Sequence, residues 1–256
     1  MNEGILAGKR IKKITTNPNG KPWVTYVEEE NLVEQIDKEE IFNSIKQLLK
    51  NEEVGNTKVF NFSENSFFSE KDLLVYTSDK HIGAKTQSNS IYNNEYNAEE
   101  FSNTMMQIAR KIASLGSMDN LILFDLGDAL DGFNAQTTRG GHTLPQNMNN
   151  KEQFETYLKV HAEFFNHILN NKNSYNKIYY VCAANNNHGG DVDYMAMKAF
   201  ELYLNKINPF INVIVTDKFI SHLEIKKGNE LMYTILFTHG KDDSDMKYGL
   251  PLILND

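Results

Sequence analysis

The chain has 256 residues, 40% of them hydrophobic and 11% aromatic, with a net charge of −8 and a pI near 5.4. That length suits one sizeable core plus a small appendage, and the acidic balance argues against tight non-specific nucleic-acid binding, which normally needs a basic surface. No apolar run approaches the roughly eighteen residues of a membrane-spanning helix, the opening MNEGILAGKRIKK is too weakly apolar for a secretory signal, and the single cysteine, Cys182, excludes an internal disulfide and fits a reducing, cytoplasmic interior.

Residues 1 to about 34 read as a short β-rich segment, with Asn17-Pro18-Asn19-Gly20 as the turn between KRIKKITT and KPWVTYVEE. Asp37 then caps a helix through Lys50 that carries Ile41, Ile45, Leu48 and Leu49 on one face. Residues 51–70 are polar and turn-rich, so the division falls there: an appendage of β-hairpin plus helix over 1–70 and a main domain over 71–256, with Trp23 packing the first onto the second. From residue 71 strands and helices alternate. Strands are expected over 73–77, 121–126, 178–183, 211–215, 219–225 and 231–237, the last two paired across Lys226-Lys227-Gly228-Asn229. Helices are expected over 98–115, 151–171 and 191–206, the last with Tyr194, Met197, Phe200 and Leu204 inward. The expected fold is mixed α/β, a β-sandwich flanked by helices.

Four of the apolar runs end in a cluster of metal-binding side chains. LLVYTSDKHIG carries Asp79 and His81, and LILFDLGDALDG carries Asp128 and Asp131. IYYVCAANNNHGG carries Asn187 and His188, and YTILFTHGKDD carries His239. Four to seven consecutive apolar residues bounded by Gly and Asn suit strands buried on both faces. Ligand-type residues at the carboxyl ends of such strands converge, because open α/β sheets place their sites there. Cys182, at the end of one such strand, reads as a buried and inert thiol.

These clusters, in this order, resemble the calcineurin-like metallophosphoesterase family, whose motifs run D-x-H, G-D-x-x-D, G-N-H-D/E, a lone His, and G-H-x-H. The chain supplies Asp79-Lys80-His81, Gly127-Asp128-Ala129-Leu130-Asp131, Asn186-Asn187-His188-Gly189 and Thr238-His239-Gly240. The third keeps its Asn-His core but has Asn186 for the Gly and Gly189 for the acid. The fifth motif, G-H-x-H, is missing, and the sequence ends in GLPLILND seventeen residues after His239. A longer natural protein is therefore expected to supply the segment that completes the metal site, and this chain alone is expected to bind metal incompletely and turn over slowly.

The resemblance covers about residues 71–256 and implies a metallophosphoesterase-type fold with two divalent ions, Mn²⁺, Fe²⁺ or Zn²⁺. It implies Asp128 as the bridge between the ions, Asp79 and His81 on the first, and Asn187 and His239 on the second. His188 would be the general acid toward the leaving group, with Asp131 orienting it or a ligand. Two ions roughly 3.5–4 Å apart acidify a water, neutralise the phosphoryl oxygens and assist the leaving oxygen. The loop 133–147, FNAQTTRGGHTLPQN, follows the bridging aspartate and resembles the loop of phage-encoded members. In it Arg139, one of three arginines, could grip a phosphate and His142 could touch substrate.

His161 and His167, six apart on one helix, share no face, and His222 has no acidic neighbour at ligand spacing. Asp242, Asp243 and Asp245 read as a solvated acidic turn. Gly132 follows Asp131 where the serine/threonine protein phosphatase branch carries Arg, which disfavours that branch. The expected activity is hydrolysis of phosphodiesters, in nucleic acid, with DNA as a partner and no membrane. Two alternatives stand beside it. The acidic charge favours a nucleotide or small-molecule phosphodiesterase, and the altered third and absent fifth motifs favour a catalytically impaired binding module.

Overall fold

A computed structural model describes residues 9–16, 22–28, 38–49, 71–86 and 95–240. The chain divides into two compact units, 1–41 and 42–256. In the first, β1 (Lys9–Thr16) and β2 (Pro22–Glu28) form an antiparallel pair with an irregularity between Ile11 and Lys13. Trp23 stands opposite Thr15 in that ladder. The turn at 17–20, the boundary expected over 51–70, the acidic residues 242, 243 and 245, and the final segment lie outside the described residues. Helix α1 (Lys38–Leu48) crosses the division and buries Ile45, with Leu49 buried just after it.

In the second unit the order is β3 (Leu73–Thr77), α2 (Ala98–Ser114), β4 (Met118–Asp125), α3 (Asn150–Leu169), β5 (Tyr175–Ala183), α4 (Asp191–Ile207), β6 (Ile211–Thr216), β7 (Ser221–Lys227) and β8 (Glu230–Phe237). Strands β3-β4-β5-β6 form a parallel sheet in chain order, and β7 and β8 form a separate antiparallel pair turning at Gly228-Asn229. Parallel neighbours need crossovers, and right-handed crossovers between strands laid down in one direction put their helices on one face. The side chains follow that rule. Tyr180, on one face of β5, meets Phe165 of α3 and Phe200 of α4, both edge-on. The other face sends Ile122, Phe124, Tyr179, Val181 and Ala183 against Leu223, Ile225 and Phe237 of the β7–β8 pair. Both faces of the parallel sheet are covered, which is why its central strands read as unbroken apolar runs. Burying one such aliphatic or aromatic side chain stabilises the fold by roughly 1.5–3 kcal/mol.

Two helix starts are fixed by asparagine. Asn97 accepts from the backbone N–H groups of Glu99 and Glu100, and Asn149 forms a reciprocal capping box with Glu152. Helix α4 buries Met197, Phe200 and Leu204 as expected and differs from the sequence expectation only in its first turn. Tyr194, expected inward, is exposed, and Asp193 is wholly buried in line with Ala196, Met197, Phe200 and Leu204. Strands β4 and β5 begin three residues before their apolar runs, because the ladder extends through Asn120 and Lys177 into the more polar ends. Among the described residues no helix is long and apolar enough to cross a membrane.

Candidate metal centre

The four clusters meet at one end of the parallel sheet. Asp79 and His81 follow β3, Asp128 and Asp131 follow β4, Asn187 and His188 follow β5, and His239 follows β8. The turns after β3 and β4 continue the ladder beyond the strands: Asp79 N–H donates to Gly127 O at 3.0 Å, His81 N–H to Asp128 O at 2.9 Å, and Ile82 N–H to Ala129 O at 2.8 Å. Within these paired turns Asp79, His81 and Asp128 all have left-handed backbones, with φ of 52°, 43° and 49°. Non-glycine residues rarely adopt that region, and such strain concentrates where function holds it in place. Gly127, at φ 100°, leaves no room for a side chain: a Cβ there would lie 2.8 Å from Ala183 O and 3.0 Å from His239 Nδ1.

One cluster centres on His239. Its Nδ1 lies 2.8 Å from Leu126 O, and a carbonyl only accepts, so Nδ1 carries a proton. Its Nε2 is 2.9 Å from Asn187 Oδ1 and 3.3 Å from Asp128 Oδ2. A neutral ring would aim a lone pair at two oxygens, an arrangement that calls for a cation between them, either a proton on Nε2 or a metal ion. Burial works against charging this ring, but Asp128 and the Leu126 carbonyl outweigh it and raise the His239 pKa above its ordinary 6.5.

The second cluster centres on Asp131. Its Oδ1 lies 3.3 Å from His81 Nδ1 and 3.6 Å from His188 Nδ1, and the two rings meet edge-on with centroids 4.2 Å apart. Both ring nitrogens are buried and neither has a hydrogen bond of good geometry. Burial opposes protonation of His81, yet Asp131, Asp128 and Asp79 together raise its pKa. The same contacts lower the carboxylates. Against burial, His239 and the His188 N–H depress Asp128, while His188 and His81 depress Asp131.

Ligand atoms of His81, Asp128 and His188 all lie within 4.8 Å of one another, and these three could hold a metal ion. Asp79 stands apart from that trio. It is largely exposed, its carboxylate accepts from the Ser78 hydroxyl, and it comes no closer to His81 Nε2 than 3.8 Å. Asp128 joins the two clusters, since its Oδ2 faces His239 while its Oδ1 accepts the N–H groups of Asn187 at 3.2 Å and His188 at 3.0 Å. Two imidazoles, a carboxylate and buried ring nitrogens without partners form a donor set that fits a borderline divalent ion.

The loop 133–147 is tied to both sides of this centre. Thr138 N–H donates to His188 O at 3.0 Å and Arg139 N–H to Asn187 O at 3.2 Å. On the other side Asn147 N–H donates to Gly83 O at 2.9 Å, and Gln146 Nε2 reaches Asp131 O at 2.6 Å. Arg139 and His142 are therefore carried on an anchored loop beside the third motif, with both side chains exposed. His161 is buried elsewhere, against Asp125, and His222 is exposed on β7.

Several supporting residues escape the motif pattern. Lys80, between Asp79 and His81, turns inward and pairs with Asp125, which is completely buried and also accepts from Tyr180 Oη at 3.1 Å. Tyr96 Oη donates to the Lys80 carbonyl, which pins the same turn from the opposite side. Gln153 Oε1 accepts the Asp131 N–H at 3.0 Å. Asp193 accepts from Ala129 N–H at 2.9 Å and Leu130 N–H at 3.0 Å, and from Asn186 Nδ2 at 2.8 Å. Burial pushes the Asp193 carboxyl up to about 7, against the pull of its two backbone donors. One sequence signal could have found Asp193, an acid at the i−3 and i−4 positions of a buried helical stripe.

In comparisons with known proteins, no family model, no curated protein and no solved structure matches the chain.

Proposed function

We propose that the chain is a metallophosphoesterase-type hydrolase that uses two divalent ions to cleave phosphodiester bonds, with nucleic acid as the substrate class. The observation that carries this reading is the meeting of four strand-end clusters around Asp128, one of whose oxygens faces His239 while the other is fixed by the third motif. Bound divalent ions would supply an acidified water and neutralise charge on the phosphoryl group. In this reading His81 and Asp128 would hold one ion, which Asp79 would join by turning away from Ser78, and Asp128, Asn187 and His239 would hold the other. Asp131 orients His188 through its Nδ1 side and leaves Nε2 to give a proton to the leaving oxygen. Arg139 and His142, on the loop anchored to the third motif, would meet the substrate's phosphate and leaving group.

The acidic net charge favours a second reading, a nucleotide or small-molecule phosphodiesterase with the same centre. Gly189 in the third motif favours a binding module that has lost catalysis. One experiment separates the readings. The purified chain is loaded with Mn²⁺, its metal content is measured beside that of Asp128→Asn, and both are assayed on bis(p-nitrophenyl) phosphate, mononucleotide diesters and single-stranded DNA. Partial metal retention by the wild type, lost in the variant, with slow cleavage of DNA, is the expected result. Cleavage of the small diesters alone selects the second reading, and bound metal without cleavage selects the third. Absence of metal from the wild-type chain sinks the metal centre itself.

A further inference from the structure

The third motif departs from the family pattern at Gly189, where an acid is expected, and the structure shows what occupies that place. A Cβ built on Gly189 would lie 1.9 Å from Oδ1 and 2.4 Å from Cγ of Asp193. The carboxylate of Asp193 thus fills the volume into which a side chain at 189 would grow. It reaches this point from the first turn of α4, four residues downstream, and it is wholly buried. Gly189 itself lies outside the left-handed region, so its backbone would accept a side chain if that volume were clear.

From there the carboxylate joins two turns. Its oxygens accept the N–H groups of Ala129 and Leu130, the two residues directly after Asp128. One of them also accepts from Asn186 Nδ2, and Asn186 directly precedes Asn187. The other end of the same amide accepts Gly190 N–H at 2.8 Å, closing the third-motif turn on itself. Asp128 sits at φ 49° immediately beside this clamp, and its Oδ1 must stay within reach of the Asn187 and His188 N–H groups. A left-handed aspartate has little intrinsic preference for its conformation, so neighbouring bonds must fix it.

We infer that Asp193 is a positioning residue for the metal centre, and that it supplies from helix α4 the buried carboxylate that the third motif lacks at Gly189. It touches no substrate and no ion. Its part is to hold the Asp128 turn against the Asn187–His188 turn so that their ligand atoms face one space. Outer residues that orient ligands typically change metal affinity by roughly ten- to a hundredfold when removed.

This inference rests on the metal-centre reading, and the test separates the two. Mn²⁺ affinity is measured by calorimetry and by the loss of the free-ion electron paramagnetic signal for the wild type, Asp193→Ala, Asp193→Asn and the double variant Asp193→Ala/Gly189→Asp. Circular dichroism and gel filtration on the same samples report folding. The expected result is Mn²⁺ binding by the wild type, binding weakened at least about tenfold in both single variants, and binding restored in the double variant, whose new carboxylate grows into the space Asp193 vacated. A general packing defect would not be repaired by an acid at position 189. Wild-type affinity in a folded Asp193→Ala overturns the inference, and so does a folded double variant as weak as the single one. If Asp193→Ala does not fold, Asp193→Asn carries the test, and unweakened binding by it is equally fatal. A wild-type chain that binds no Mn²⁺ removes the metal reading first, and the inference with it.

Discussion

His188 stands where two roles compete. Its ring belongs to the trio with His81 and Asp128 that could hold an ion, and its position after Asn187 marks it as the proton donor of the proposed reaction. Geometry favours the donor role, because its Nδ1 faces Asp131 alone while its main chain already serves Asp128 through the backbone N–H. His188→Ala is therefore expected to keep the wild-type Mn²⁺ content and to lose hydrolysis of an activated diester by roughly 10²–10⁴-fold. A diester with a good leaving group should suffer less than one with a poor leaving group, since only the latter needs the proton. Equal losses on both, or a fall in bound Mn²⁺, would make His188 a ligand. The backbone at Asp79, His81 and Asp128 supports the view that this end of the molecule is built for a purpose. Each left-handed residue costs on the order of 1 kcal/mol, and three in two facing turns are kept only because the ladder between 79–82 and 127–129 holds them.

Among the elements, α3 has the most unusual burden. It carries His161 into the aromatic core, where the ring lies against Tyr157, Phe101, Tyr180 and Phe200. Burial and the nearby Lys80 charge press its pKa from 6.5 to about 4, although Asp125 and the Tyr157 carbonyl pull the other way. Between those two values the unfolded chain holds a proton that the folded chain refuses, so folding stability falls as pH drops from about 6.5 toward about 4. Asp193, raised to about 7, carries the opposite slope over the whole of that range. The quantity to follow is accordingly the difference between wild type and His161→Phe in denaturant unfolding at a series of pH values. The wild type is expected to lose up to about 3 kcal/mol relative to the variant across this window. A pH-independent difference would show that folding does not lower the His161 pKa.

The elements also show what a sequence can and cannot disclose. Buried strands announce themselves as apolar runs, and a polar cluster directly after each run is a local signal, so the meeting of His81, Asp128, Asp131, Asn187, His188 and His239 at one sheet end is legible in the sequence, whereas Asp79 stands outside the trio that could hold an ion. Their supports are not legible. Asp193 lies 64 residues from Ala129, Lys80 lies 45 from Asp125, and Gln153 lies 22 from Asp131. Such partners are chosen by the crossovers between parallel strands, which bring distant turns together; only Asp193 leaves a periodic trace, as an acid on a buried helical stripe, and that trace does not name its partner. The first turn of α4 misleads for a related reason. Tyr194 is the more apolar residue, but the space beneath the helix start is polar, and Asp193 fills it.

At the scale of the whole molecule, the candidate ligands come from the ends of β3, β4, β5 and β8, so one centre joins both sheets. The β7–β8 pair holds the parallel sheet mainly through apolar packing, chiefly Leu223, Ile225 and Phe237 on Ile122, Phe124 and Val181, helped by Tyr233 Oη donating to the Asp72 carboxylate and by the Thr216–Ser221 hydroxyl pair. His239 is its one described reach into the site. An ion held by His239 together with residues from the parallel sheet would act as a polar clasp on that packing. Because a preformed set of ligands is lost on unfolding, binding is linked directly to stability. Free Mn²⁺ at about 100 times its dissociation constant is expected to add roughly 2.7 kcal/mol. For a domain of this size that corresponds to a rise in melting temperature of about 5–10 °C. The rise should continue with the logarithm of Mn²⁺ concentration, vanish with a chelator, and be absent in His239→Ala if the clasp runs through β8. A variant that keeps the full thermal shift without His239 would confine the ion to the parallel sheet and leave the β7–β8 pair held by its apolar face.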